Sequence, residues 1–298
     1  MPRGTFQKYG RSVPPPKGFF QMKQRIITGA VIAAVLVGVF FLSETIVYPI
    51  AMALLAFGGV FEMLRVLGQH KRWILSVPAY LVALGLPVAS FFLMQSYDDI
   101  VAVLVLALAL FLYLLYSFLV AVFAKGKILY ADLSAVFVSV TYVVTCFTAL
   151  TILRYLPMGK YYFGMVFIGA WISDIFAYFT GVFFGKHKLI PEISPQKTVE
   201  GSLGGIVFAA AFMVLYGWIL SMIVEVVPNY LVLSLGGVFL AVVGQIGDLL
   251  ASLVKREHGV KDYGRLMPGH GGIMDRFDSV LAVSAAAMIL CLLFPPFT

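Results

Sequence analysis

The feature that most limits what this chain can fold into is a succession of long apolar runs broken by short polar ones. A helix needs about 20 mainly apolar residues to cross the hydrocarbon core of a bilayer. Nine runs reach that length, at roughly 25–43, 46–67, 74–95, 100–124, 132–154, 161–184, 203–226, 230–254 and 277–295. Backbone N–H and C=O groups find no water in lipid, so a helix that satisfies them internally is the economical form. The expected fold is all-α: a polytopic integral membrane helical bundle with about nine transmembrane helices.

Composition agrees. The chain is 61% hydrophobic and only 12% charged, against about 25% charged residues in soluble domains. Three regions follow. Residues 1–21 are polar, proline-rich and basic, and read as a disordered or foreign extension. Residues 22–160 hold the N-terminal transmembrane helices, and 161–298 the C-terminal helices with the polar loops. The net charge of +7 invites a nucleic-acid reading, but the basic residues sit in short loops between apolar runs. Lipid headgroups and phosphates are the expected partners, and nucleic acid is not. Cys146 and Cys291 both lie inside apolar runs and read as packing residues. Several runs carry glycines (Gly58 and Gly59, Gly181 and Gly185, Gly236 and Gly237) whose expected role is close helix approach. Glu62 is expected to pair with Arg65, one turn further on.

One polar stretch is unlike the rest. From Ser252 to Asp278, Lys255, Arg256, Lys261, Arg265 and Arg276 sit among Asp262, Asp275 and Asp278, with His258 and His270 between them. Five glycines interrupt the middle. Backbone amides exposed by glycine, together with cations, suit phosphate. Carboxylates in the same loop repel a polyphosphate unless a divalent cation lies between them, and Mg²⁺ takes carboxylate and phosphate oxygens together. The order Ser-x-x-Lys-Arg, Lys-Asp, Pro-Gly-His-Gly-Gly-x-x-Asp-Arg-x-Asp resembles the signature of the phosphatidate cytidylyltransferases, without a gap. The resemblance implies a membrane-embedded nucleotidyltransferase. It would join CTP to phosphatidic acid, giving CDP-diacylglycerol and pyrophosphate with Mg²⁺ and a possible second cation. It also implies a homodimer.

A second polar constellation lies in the sixth run and its loop. Asp174 is well inside an apolar segment, where a carboxylate is expensive and usually faces a cavity or a partner. Tyr178 follows at i+4 on the same face. Gly181-Val-Phe-Phe-Gly185-Lys186 is one residue short of a P-loop and lacks the Ser/Thr after Lys, so that reading is rejected. Residues 194–201, Ser-Pro-Gln-Lys-Thr-Val-Glu-Gly, resemble the second block of the same family, usually Ser-Pro-Lys-Lys-Thr-x-Glu-Gly, with Gln196 replacing one cation. Ser194, Lys197, Thr198 and Glu200 are then expected at the substrate, with Asp174, Tyr178, Ser252 and Arg265.

Asp248, Ser252 and Lys255 share one helical face, and Asp275 and Asp278 open the last helix. If these two helices pack antiparallel, Asp248 and Asp275 form a hard oxygen site for Mg²⁺, with Asp278 either a third ligand or a residue that caps and orients. The expected catalytic set is completed by Lys255, Arg256, Lys261, Asp262, His270 and Arg276, which hold phosphate or orient the loop. Thirteen basic residues fall in alternate loops on the side of the Ser252–Asp278 stretch, against eight on the other side, four of which belong to residues 1–21 and drop out if that extension is foreign. That asymmetry places those loops in the cytoplasm, with the chain in a bacterial inner membrane. An ion-coupled transporter and a CTP-dependent lipid kinase are the alternatives. A CDP-alcohol phosphotransferase is disfavoured, since the chain contains no Asp-Gly pair.

Overall fold

A computed structural model describes residue 34, residues 38–266 and residues 271–298. The first expected span, 25–43, lies largely outside the described residues, as does His270. The other eight expected spans are all present. They are α1 (Val47–Val66), α2 (Trp73–Ser96), α3 (Asp99–Phe123), α4 (Tyr130–Tyr155), the composite Gly159–Phe184, α7 (Val199–Ile223), α8 (Tyr230–Glu257) and α9 (Met274–Leu293). The composite span is α5 (Gly159–Phe167), one π-helical turn (Ile168–Ile172) and α6 (Ser173–Phe184). Among the described residues the only sheet is a hairpin that periodicity did not show: β1 (Lys188–Ile190) antiparallel to β2 (Ser194–Thr198), with Lys188 opposite Thr198.

α4 is the central post. It packs on α1 and α2 on one side and on α9 on the other. One apolar cluster therefore takes Val60 and Leu64 of α1, Val143 and Phe147 of α4, and Met274 and Leu281 of α9. α3 touches only α2 and α4 among its stronger neighbours. Its outer residues, such as Leu104, Leu108 and Leu112, are exposed, as lipid-facing positions should be.

Polar details show how the sequence tolerates its irregularities. Pro78 lies inside α2 and deprives the Ile74 carbonyl of its helical donor. The Tyr116 hydroxyl of α3 supplies one instead, at 2.6 Å. The turn at Ser43–Thr45, before α1, is tied to the end of α4: Arg154 Nε donates to Ser43 Oγ (2.8 Å) and the Tyr155 hydroxyl to the Ser43 carbonyl (2.9 Å).

Three features place the polar residues. The π turn puts Ser173 and Asp174 directly after a register change, and such turns cluster at functional sites. Gly237 lets α8 approach α7, since a Cβ there would stand 2.7 Å from Ala210 Cα. Thr198 ends β2 and caps α7, its hydroxyl accepting the Gly201 amide at 3.1 Å. The hairpin is thereby fixed to the start of α7, at the same end of the bundle as the C-terminus of α8.

Candidate active site

Three aspartates from three helices meet at that end. Asp174 of α6 accepts a hydrogen bond from Ser279 Oγ at 3.0 Å, and Asp278 of α9 accepts the Ser279 amide at 2.9 Å. Asp248 of α8 lies within electrostatic reach of both, so the three carboxylates repel one another. Gly247 brings the helices together here: a Cβ on it would stand 2.9 Å from the Asp278 carbonyl. Lys197 of β2 offsets part of the charge, with Nζ 2.5 Å from Asp248 Oδ2. That ammonium is buried. An ammonium has three N–H donors, and the Asp248 contact engages one of them.

Beside Asp174 and Asp248 is a cavity of about 650 Å³; Asp278, like Lys255 and Asp275, does not line it. It is lined by six of the residues singled out in the sequence: Asp174, Tyr178, Ser194, Lys197, Thr198 and Asp248. Residues 74 positions apart in the chain thus share one chamber. Gln245, one turn before Asp248, organises its inner wall. It accepts from the Ser202 hydroxyl of α7 and donates to the Ser202 carbonyl (3.1 Å) and to Ser173 Oγ (3.4 Å). Lys186 and Lys188 also line it.

The described part of the Ser252–Asp278 stretch meets the hairpin through Arg256. Its anchor is Asp275. Oδ1 meets Lys255 Nζ at 3.0 Å, and Oδ2 accepts the amides of Tyr263 (2.7 Å) and Gly272 (2.9 Å). Tyr263 is fully buried; its hydroxyl donates to the Ala251 carbonyl at 2.8 Å, and Lys255 lies over its ring. Burial pushes the Tyr263 phenol far above its ordinary value, so it serves as a neutral donor.

A family model described as the cytidylyltransferase family matches residues 23–294. The chain belongs to the cytidylyltransferase family. It is similar over nearly its whole length to proteins named phosphatidate cytidylyltransferase. The Bacillus subtilis (strain 168) protein is 37% identical over 284 residues, covering 92% of this chain and 98% of that one. The Staphylococcus haemolyticus protein is 33% identical over 270 residues and the Staphylococcus aureus (strain COL) protein 36% over 272, each covering 90% of this chain and 98% of its own. The match therefore extends through the N-terminal half, where the sequence alone offered only hydropathy.

Within this cytidylyltransferase fold the remaining expected residues take separate places. Glu200 does not line the cavity. Its carboxylate accepts the amides of Lys186 (3.1 Å) and His187 (3.2 Å) and meets His187 Nδ1 at 2.6 Å, which pins the hairpin to α7. Arg256 Nε reaches the Ile193 carbonyl of the hairpin at 3.4 Å. Lys261, Asp262, Arg265 and Arg276 are exposed, and Ser252 is half-buried; none of the five lines the cavity.

The expected Glu62–Arg65 pair is corrected. Glu62 Oε1 and Oε2 accept the amides of Ile273 (3.0 Å) and Met274 (2.9 Å), capping the start of α9. Arg65 donates to the Tyr263 carbonyl. The free N–H groups at a helix start attract a carboxylate more strongly than an exposed cation one turn away. Tyr263 and Gln245 were missed outright. A buried-type residue amid a polar loop, and an amide inside an apolar run, were the available signals.

Among the described residues, no group of three or more His, Cys, Asp or Glu side chains is placed to enclose a metal ion. A Mg²⁺ site does not require an enclosure, because the ion keeps water and phosphate oxygens around one or two carboxylates. Asp174 and Asp248 line the cavity and repel each other, and with the neighbouring Asp278 they fit that donor chemistry.

Proposed function

We propose that this chain transfers the cytidylyl group of CTP to phosphatidic acid, releasing pyrophosphate. The observation that supports this best is the cavity itself. It joins carboxylates, a buried ammonium paired with Asp248 and a helix N-terminus capped by Thr198, at one end of a membrane bundle. Its α6 wall belongs to a membrane-spanning helix, with Tyr178 and Val182 exposed on it. A lipid can approach through such a wall while its phosphate stays at the polar end.

In the reaction, a phosphate oxygen of phosphatidic acid forms a new bond to the α-phosphorus of CTP. The α–β bridging P–O bond breaks and pyrophosphate leaves. The nucleophile is already anionic, so no strong base is needed, and catalysis comes from positioning and charge neutralisation. Lys197 donates to a phosphate oxygen, and Ser194 and Thr198 hold the headgroup. Lys255 and Asp275 keep the signature loop seated beside the chamber. Mg²⁺ is proposed at Asp248 and Asp278, with Asp275 joining if Oδ1 leaves Lys255. Bound there, it would neutralise charge on the transferring and leaving phosphates. His270, Lys261, Arg265 and Arg276 are proposed to meet the triphosphate.

The cavity end is proposed to face the cytoplasm of a bacterial inner membrane, because the basic loops lie on that side. Two copies are proposed to associate, which a mass measurement in detergent tests. The activity is tested with purified protein, labelled CTP and phosphatidic acid. A CTP-dependent liponucleotide and stoichiometric pyrophosphate are expected. Release of CDP instead would mark a kinase and overturn the reading.

A further inference from the structure

The cavity carries two cations that the reaction as described leaves without a task. Lys186 and Lys188 line it, as Lys197 does. Lys197 is matched by Asp248, whereas among the described residues neither Lys186 nor Lys188 has a carboxylate within ion-pair distance. Both are nevertheless rigidly based. The Lys186 amide is held by Glu200, and Lys188 opens β1 opposite Thr198. Their side chains are exposed and thus available to a ligand. The facing wall, through Tyr178 and Val182, is 66% and 61% exposed on a helix that crosses the membrane. A ligand that suits both features has an anionic head and an apolar body.

We propose that Lys186 and Lys188 are specificity-determining residues that select a lipid phosphomonoester over lipid phosphodiesters. This rests on the reading that the cavity receives the lipid phosphate. A diester carries one negative charge. A phosphomonoester carries about −1.5 to −2 near neutral pH, with a second ionisation near pH 6. Coulomb attraction scales with that charge, so two unmatched ammonium groups favour the dianion over the diester. They also favour loss of the second proton, which makes the attacking oxygen a better nucleophile. Free CTP offers phosphate chemistry too. The membrane-facing wall favours the lipid, and the experiment separates the two.

The test is binding of short-chain phosphatidic acid, short-chain phosphatidylglycerol and CTP, each alone, to the purified full chain by calorimetry between about pH 5 and pH 7.5. Wild-type protein should prefer phosphatidic acid over phosphatidylglycerol by about tenfold or more at the upper pH. That preference should shrink as the pH falls through the second ionisation of the monoester. The Lys186→Gln/Lys188→Gln variant should lose both the preference and its pH dependence while binding CTP as wild type does. The Lys186→Arg/Lys188→Arg variant keeps the charges and should keep both. A Gln variant that still discriminates overturns the proposal, as does an Arg variant that does not. Weakened CTP binding with unchanged phosphatidic acid binding would assign the lysines to the nucleotide and also overturn it. Failure of the cytidylyl transfer itself would show separately, as absence of liponucleotide from wild-type protein, whatever the lysines do.

Discussion

Asp248 and Asp275 are both acidic residues at the polar ends of neighbouring helices, yet their surroundings give them different work. Asp248 faces the cavity and touches one cation. Asp275 is nearly closed off and holds three donors of its own loop. Asp248→Asn should therefore lower turnover by about 10²-fold or more, the scale of removing one charge stabiliser, with little change in melting temperature. Asp275→Asn should lower both, because an amide nitrogen would face Lys255 or a backbone N–H, at about 1–3 kcal/mol. Thermal unfolding measured beside turnover checks this; equal melting losses in the two variants would contradict it. Glu62→Gln tests the corrected role in the same way. A carboxylate receives both α9 amides, whereas a glutamine can offer only one oxygen to them. We expect a loss of about 1–3 kcal/mol and a marked fall in activity from the displaced loop. Arg65→Gln should be milder, and a silent Glu62→Gln would show that the cap is dispensable.

At the scale of elements, the spans and the site parted company. Helix positions were readable because length and hydropathy decide them in lipid, and the eight described spans fall within a few residues of the expected ones. The hairpin was not readable. β1 has three residues and β2 has five with a proline among them, too short for a period to show. It exists because Glu200 and Thr198 fasten its ends. The π turn before Asp174 was equally silent, since nothing in Ile168–Ile172 differs from ordinary helix in apolar pattern. Gly237 was flagged as a packing glycine, and the structure shows what it packs against. Gly237→Leu should push α8 from α7, displace Gln245 and Asp248, and abolish turnover, with an overpacking cost of about 1–3 kcal/mol or more. Activity and melting of this variant, compared with Gly237→Ala, check the expected size dependence.

At the scale of the whole molecule, the bundle gathers its polar chemistry at one end. Glu257, exposed at the end of α8, marks that end without entering the cavity. Glu257→Cys in an otherwise cysteine-free chain should react with an impermeant thiol reagent only from the cytoplasmic side of intact cells. Labelling from outside would invert the proposed orientation and remove CTP from the site. The sequence by itself determined that the chain is a membrane helical bundle, because hydrocarbon permits little else to a chain with these runs. It also singled out the residues of the two polar blocks, because charge and glycine inside such a chain are too costly to be idle. Only the tertiary structure decided which of them share a chamber. Asp174, Lys197 and Asp248 come together there while Asp275 and Glu62 turn to holding the loop. Those outcomes depend on which helix faces pack and which backbone amides are left unbonded at a helix start, and neither is encoded in local pattern.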